Sequence, residues 1–149
     1  MTGRTDLTSK TIALGADHAG FKLKESLKQY LEENGWSVID HGANSEASVD
    51  YPDFAHKVIT SLKDGSSALG LIICGTGIGI SIAANRHKEI RAALCHDATT
   101  ARLSRAHNDA NVLALGGRIV GVEVAIDTLH AFITTRFEGG RHADRLKKI

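Results

Sequence analysis

Residues 69–81, with the sequence LGLIICGTGIGIS, contain an uncharged, mostly apolar run that passes directly into a glycine-rich turn. An apolar run of this length is typical of a strand buried on both faces of a parallel sheet. The glycines Gly75, Gly77 and Gly79 let backbone N–H groups approach an anion closely, and a helix after them would add the positive end of its dipole. The segment therefore predicts a buried strand, an anion-binding turn and a helix in succession.

Similar runs recur along the chain and alternate with segments of helical periodicity. Strands are predicted at 11–16, 37–40, 69–74, 92–95 and 112–115. Helices are predicted at 21–34, around 55–62, after the glycine turn, at 98–107 and at 122–137, with a polar tail beyond. Because each crossover must bring the chain back in the same direction, we expect a single α/β domain over residues 1–149. It would be a doubly wound, Rossmann-like sandwich of five parallel strands with helices on both faces.

Composition excludes several classes of protein. The chain has 149 residues, 42% of them hydrophobic and 23% charged, so it can bury a core and is not a disordered protein. Eighteen basic and 17 acidic residues leave a formal charge of +1, which does not indicate a nucleic acid or a membrane surface as a partner. Two cysteines without CxxC spacing, and no apolar signal core in residues 1–10, favour reduced thiols and a cytoplasmic location.

Polar side chains follow the predicted strands where a ligand is expected. In doubly wound sheets, ligands bind beyond the carboxyl ends of the strands. The residues found there are Asp17, His18, Cys74, His96, Asp97 and Arg118. Turn chemistry explains the glycines and aspartates at these positions, but it does not explain a cysteine and a histidine. We therefore expect the functional site at this edge of the sheet.

The glycine turn matches neither of two common nucleotide motifs in full. No GK[ST] follows it, as a P-loop requires, and the third small residue of the dinucleotide fingerprint would fall on Ile80 or Ile82. Asp97 nevertheless lies at about the distance expected of a ribose-binding acid. The residues alone leave two alternatives open, an anion site and a set of tight-turn glycines.

The two cysteines differ in their sequence context. Cys74 ends a predicted strand just before a helix, where the helix dipole stabilises a thiolate that can act as a base or a nucleophile. The alternative is an inert core thiol, because free cysteine is among the most buried residues. Cys95 lies inside the run AALC and is expected to be inert.

The histidines and the basic tail each allow two interpretations. The eight histidines include no HxxxH pair and no HExxH motif, so no metal site is predicted. His107 ends a predicted helix, where a histidine can belong to a site or simply interact with the helix dipole. Arg141 and Arg145 follow Gly139-Gly140 and are four residues apart, so they can clamp one phosphate or belong to a solvated tail.

Five segments carry a resemblance to a known family. They are GADHAGF (15–21), DYPDFA (50–55), ICGTGIGISIAANR (73–86), LSRAHNDANVLALGGR (103–118) and FEGGRHADR (137–145). In this order and spacing they resemble ribose-5-phosphate isomerase type B, of the ribose/galactose isomerases. The resemblance implies aldose–ketose isomerisation of a phosphorylated sugar through a cis-enediolate, without a metal or an organic cofactor. Galactose-6-phosphate, allose-6-phosphate and erythrulose-4-phosphate isomerases share most of these segments.

The resemblance also implies roles for individual residues. Cys74 corresponds to the base that moves a proton between C1 and C2 of the sugar, and Thr76 to the hydroxyl that shuttles protons between the sugar oxygens. The N–H groups of residues 75–79 would hold the enediolate oxygen. One branch of the family supplies a glutamate instead of the cysteine, but no acid occurs here between residues 74 and 88.

The remaining site residues are implied in the same way. His107, with Asp17, corresponds to the pair that opens the cyclic sugar. The phosphate ligands would be His18, Arg141 and Arg145, with Arg118 as a further contributor, and the sugar site would be lined by Tyr51 and Asn108. In the family, the helix with the histidine and the C-terminal arginines reach the cysteine loop of a partner. A homodimer or a dimer of dimers with shared active sites is therefore expected.

Two functions of other classes stay open at this point. A dinucleotide-dependent oxidoreductase would use the glycine turn and Asp97, and tight binding of NADH would indicate it. A non-catalytic nucleotide or sugar-phosphate binding module would keep the anion turn and the arginines but would need neither Cys74 nor His107. Binding of a sugar phosphate without turnover would indicate that module.

Overall fold

The computed structural model describes residues 7–149, which form one sheet of five parallel strands with helices on both faces. The strands are β1 Thr11–Ala16, β2 Ser37–Asp40, β3 Leu69–Cys74, β4 Ala92–Leu94 and β5 Val112–Gly116. The helices are α1 Phe21–Glu33, α2 Tyr51–Lys63, α3 Ile78–Asn85, α4 Ala98–Asn108, α5 Val122–Thr134 and α6 Arg141–Leu146. The strand order is β2-β1-β3-β5-β4, and every neighbouring pair is parallel. The predicted fold class is confirmed.

The core is divided into two layers, one on each face of the sheet. Successive side chains of a strand point to opposite faces, so Leu71 and Ile73 of β3 belong to one layer, and Ile72 and Cys74 to the other. The first layer is covered by α1, α4 and α5, and the second by α2 and α3. Cys74 therefore lies on the face that α2 and α3 cover.

The chain reverses its direction of winding between β1 and β3. From β1 it proceeds to β2 at one side of the sheet, and from β3 it proceeds to β4 and β5 at the other side. The carboxyl ends of the two strands meet here, because the N–H of Asp17 donates a hydrogen bond to the carbonyl of Ile73 at 3.1 Å. In open α/β sheets a ligand binds in the crevice at such a switch point.

The chain after α5 departs from the prediction. The expected helix end at residue 137 is wrong: α5 ends at Thr134, and Thr135 is extended, with φ −96° and ψ 133°. The carbonyl of Thr135 accepts a hydrogen bond from Nε of Arg105 at 3.2 Å, so this backbone group bonds to α4 instead of continuing the helix. The expected polar tail contains the short helix α6 instead.

Two further predictions concern the chain's relation to membranes and secretion. None of the helices in the described range combines the length and the apolar character needed to cross a bilayer. The expectation of no signal core rests on residues 1–10, of which the first six lie outside the described range.

Candidate active site

Cys74 is the last residue of β3, and its thiol lies beside the turn that starts α3. The side chain is 4% exposed, and its Sγ accepts a hydrogen bond from the N–H of Gly77 at 3.2 Å. Gly77 has φ +80° and precedes the first residue of α3. The N–H donor and the start of the helix therefore both place positive potential at the sulfur.

Two side chains from other segments lie against the glycine turn. A Cβ on Gly75 would lie 3.1 Å from Nη1 of Arg118, and a Cβ on Gly79 would lie 2.6 Å from Cζ of Tyr51. A Cβ at Gly79 would thus collide with the phenol, whereas one at Gly75 would crowd the guanidinium and require a small shift of it. The hydroxyl of Thr76, which is exposed, accepts from the N–H of Ile78 at 3.1 Å. The structure brings Arg118, Tyr51 and Thr76 to the turn next to Cys74.

Asp17 and His18 follow β1 and complete this edge of the site. Asp17 is buried, and its Oδ1 accepts from the N–H groups of Ala19 and Gly20 at 3.0 and 3.1 Å, which fixes the turn into α1. The Nδ1 of His18 accepts from the N–H of Val49 at 3.2 Å. A neutral His18 therefore carries its proton on Nε2, which is the nitrogen available to donate to a ligand.

The other predicted site residues, His107, Asn108, Arg141 and Arg145, lie at the opposite edge of the sheet. The helix α4 starts beyond the carboxyl end of β4 and runs back, so its last turn ends near the amino end of β5. Cys74 pairs with Gly116 at the other end of β5. The rise of a five-residue strand separates the two edges by about 13 Å. A single chain does not bring His107 next to Asp17 or Cys74.

His107 is part of a second group of side chains, together with two residues of the C-terminal segment. Its ring stacks on the ring of His142, with centroids 4.3 Å apart and planes inclined by 12°. The Nε2 of His142 lies 3.6 Å from Oε1 of Glu138. Burial lowers the pKa of His142, the positive charges of His107 and Arg141 lower it further, and Glu138 opposes them.

Sequence reasoning missed this group. Neither His142 nor Glu138 stands in a sequence pattern that indicates a role. Glu138 and His142 are four residues apart, but this spacing does not indicate one face of a helix, because Gly139 and Gly140 between them have φ of +71° and +55°. Only the packing of α6 against the end of α4 joins these side chains.

A buried ion pair fixes the end of α4. Arg105 is 1% exposed, and its Nη1 lies 3.1 Å from Oδ1 of Asp109, which has φ +45° and ends the helix. The same guanidinium donates to the carbonyls of Ala110, at the start of the chain into β5, and of Thr135, which leads to α6. The turn that carries His107 is thereby attached to both neighbouring segments.

Asp97 and Cys95 lie in surroundings that give each of them a structural role. The Oδ1 of Asp97 accepts from the N–H of Thr100 at 2.7 Å, so this carboxylate caps α4, as a turn aspartate does. Cys95 is 2% exposed, and burial raises the pKa of its thiol, in agreement with an inert role. The acid that a dinucleotide site would need is thus already engaged in a helix cap.

Fold and turn together define a class of protein. It comprises doubly wound α/β proteins that have a glycine-rich turn, followed by a helix, at the switch point of the sheet. The model of one such family, "Ribose/Galactose Isomerase", matches residues 12–149. The chain belongs to this family, and the resemblance noted in the sequence is confirmed.

Individual relatives agree with the family match. The chain is 47% identical over 140 residues to ribose-5-phosphate isomerase B of Escherichia coli, with 94% of each chain covered. The solved structure of Clostridium thermocellum ribose-5-phosphate isomerase B has a TM-score of 0.91 at 49% identity, with 93% of each chain covered. The Mycoplasma genitalium ribose-5-phosphate isomerase B, solved with bound ribulose-5-phosphate, has a TM-score of 0.88 at 41% identity and covers 93% of this chain and 92% of its own.

Proposed function

We propose that this protein is an aldose–ketose isomerase that interconverts ribose 5-phosphate and ribulose 5-phosphate through an enediolate. The observation that carries the proposal is the free thiol of Cys74 at the switch point of the sheet, beside a turn with N–H donors. Similarity to ribose-5-phosphate isomerases over nearly the whole chain supports this substrate. We further propose that residues 1–149 form a single domain that works in the cytoplasm.

The proposed reaction needs one base and one set of fixed donors. The thiolate of Cys74 removes the proton from C2 of the open-chain aldose, and the C–H electron pair forms the C1–C2 double bond of the enediolate. The carbonyl electrons move to O1, where N–H groups of the glycine turn stabilise the negative charge. Thr76 moves a proton between O2 and O1, and Cys74 returns its proton to C1 to give the ketose. No redox cofactor takes part, because the electrons only move within the sugar.

The remaining residues bind and open the sugar in this proposal. Arg118 and His18 contact the phosphate from the same chain as Cys74, and Tyr51 lies along the sugar. Phosphate binding far from the reacting carbons orients the substrate and so lowers the barrier. Asp17 takes part in ring opening together with His107, which transfers the proton of the ring oxygen.

A second copy of the chain completes the site. His107, Asn108, Arg141 and Arg145 lie at the other edge of the sheet, so a partner must supply them to the turn beside Cys74. The surface around that turn suits an interface, because the large apolar side chains of Ile78, Ile82 and Ile119 are 51%, 53% and 56% exposed there. The proposed assembly is a homodimer or a dimer of dimers with shared active sites.

A related substrate is the alternative within the same reaction class. Allose 6-phosphate and galactose 6-phosphate are longer than ribose 5-phosphate and erythrulose 4-phosphate is shorter, so discrimination among them depends on the distance between the phosphate-binding residues and Cys74. The loop 44–50, whose residue 49 holds His18, precedes Tyr51 and sets the depth of the site.

The test compares substrates on one preparation. Purified protein is incubated with ribose 5-phosphate, allose 6-phosphate, galactose 6-phosphate and erythrulose 4-phosphate, and kcat/KM is measured for each. We expect the highest value for ribose 5-phosphate. A higher kcat/KM for another sugar would change the proposed substrate but support the proposed reaction. Binding without turnover of any of these sugars would contradict the proposal that the protein is an enzyme. NADH binding, followed by fluorescence, tests the oxidoreductase alternative in the same preparation.

A further inference from the structure

His107, His142 and Glu138 bring three metal-ligating side chains together at the end of α4. The two imidazoles stack at 4.3 Å, and one nitrogen or oxygen from each of the three residues lies within 4.8 Å of the others. Glu138 is exposed, so an ion can enter this group from solvent. His142 is 9% exposed, so its ring is held in place by its surroundings.

The chemistry of this ligand set matches a particular kind of cation. Two imidazole nitrogens and one carboxylate oxygen are ligands that Zn²⁺ accepts, with a fourth position left for water. In a tetrahedral zinc site the ligand atoms are roughly 3.3 Å apart. The in-plane lone pairs of two stacked rings do not meet at one point, so the half-buried ring of His107 must turn out of the stack for both imidazoles and Glu138 to hold one ion. The N–H of Glu138 donates to the carbonyl of Ala106 at 3.0 Å, which keeps this residue beside the last turn of α4.

The electrostatic surroundings set the strength of binding. The carbonyl end of α4 carries partial negative charge, which favours a cation next to His107. Arg141 and Arg145 on α6 carry positive charge at the same end of the molecule, which opposes one. These effects act against each other, so the group suits an exchangeable ion rather than a permanent structural one.

We propose that His107, His142 and Glu138 form a binding site for a zinc ion or a related divalent transition-metal ion, and that the bound ion inhibits the enzyme reversibly. The inhibition rests on the function proposed above, because the ion occupies the imidazole that would open the sugar ring. The binding itself does not depend on that function. The ion is an inhibitor and takes no part in the isomerisation.

Binding is tested first, without reference to activity. Zn²⁺ is titrated by calorimetry, and Co²⁺ by its visible absorption, into the Cys74→Ala protein, which lacks the active-site thiol. We expect about one ion per chain, and roughly tenfold or more weaker binding after Glu138→Gln in the same background. The matched control is His87→Asn, which removes the pair formed by His56 and His87, whose Nδ1 and Nε2 are 3.0 Å apart. Unchanged binding in Glu138→Gln, or lost binding in His87→Asn, would overturn the proposal.

Inhibition is tested second, on the protein with Cys74 intact. Zn²⁺ should inhibit isomerisation, and a chelator should restore it. Glu138→Gln should keep the uninhibited kcat/KM but require roughly tenfold more zinc for half inhibition, because one ligand is lost. Equal inhibition of both proteins would overturn the inhibitory role. A wild-type protein that binds zinc but has no isomerase activity would contradict the proposed function and would still support the proposed metal site.

Discussion

The N–H of Gly77 donates a hydrogen bond to the sulfur of Cys74 at 3.2 Å, and this contact depends on a backbone that only glycine fits. Gly77 has φ +80°, in the left-handed region. A Cβ here would lie 2.6 Å from Cδ1 of Leu94 and 2.8 Å from the carbonyl carbon of Leu115. The thiol and the turn that faces it are thus fixed by close packing against two neighbouring strands.

Replacement of this glycine should impair both stability and activity. Gly77→Ala adds left-handed strain of about 1 to 2 kcal/mol, and the collision with Leu115 adds to it, so we expect a loss above about 2 kcal/mol and a lower kcat. Gly65 is the matched control, because it has φ +82° but a Cβ added there would meet no atom within 4 Å. Gly65→Ala should cost only the strain and leave kcat unchanged. Urea unfolding and kcat/KM measure the two effects, and equal losses in the two variants would contradict this interpretation.

The buried pair of Arg105 and Asp109 should be essential for stability. Asp109→Asn leaves the guanidinium of Arg105 buried without its charged partner, which costs about 3 to 5 kcal/mol. Asp144→Asn is the control, because that carboxylate lies 3.7 Å from Nζ of Lys147 and both side chains are exposed. An exposed pair of this kind contributes about 1 kcal/mol or less. The measurement is the free energy of unfolding of both variants relative to wild type. A loss below about 1 kcal/mol for Asp109→Asn would contradict the prediction.

Substitution of His107 should discriminate between two forms of substrate. The proposal assigns His107 to ring opening, so His107→Asn should reduce turnover of cyclic ribose 5-phosphate by about 10²- to 10⁴-fold. Turnover of ribulose 5-phosphate, which is an open-chain ketose, should fall much less. The measurement is kcat in both directions under conditions where the chemical step limits the rate. Equal losses in both directions would remove His107 from ring opening.

Mixed dimers should recover activity if two chains share each site. Cys74→Ala and His107→Asn subunits are each expected to be inactive on ribose 5-phosphate. A heterodimer of the two contains one site with both residues intact, so random mixing should restore up to about a quarter of wild-type activity. Subunit exchange is verified separately with tagged chains. No recovery after verified exchange would indicate that each site lies within one chain.

Much of the fold follows from local pattern. The apolar run of β3 and the alternating helical segments predict a parallel sheet, and Gly35, with φ +84°, lies just beyond α1 as its sequence position suggests. The turn with N–H donors beside Cys74 follows from glycines placed after a buried strand. These features depend on neighbouring residues, which is why a single sequence suffices to predict them.

Other features depend on contacts between distant segments. Arg105 lies in the polar stretch ATTARLSRAHN, where nothing distinguishes it from an exposed arginine, yet it is fully buried because Asp109 and Thr135 converge on it. The α6 helix has only six residues, too few to show a period, and packs on α4. The direction of α4 relative to the sheet puts His107 at the edge opposite to Cys74. This separation depends on how the segments pack in three dimensions, so local sequence patterns do not predict it.

The assignment of Cys74 as the base is tested most directly by Cys74→Ala, with Cys95→Ala as the matched control. Both thiols are buried, but only the first lies at the glycine turn. The measurement is kcat for isomerisation of ribose 5-phosphate, with circular dichroism to verify folding. We predict that Cys74→Ala folds and loses about 10²- to 10⁴-fold in kcat, while Cys95→Ala stays close to wild type. No acid between residues 74 and 88 can replace the base, and the carboxylate of Asp17 is engaged by the N–H groups of Ala19 and Gly20. A folded Cys74→Ala protein that retains more than about a tenth of wild-type kcat would contradict general base catalysis by Cys74.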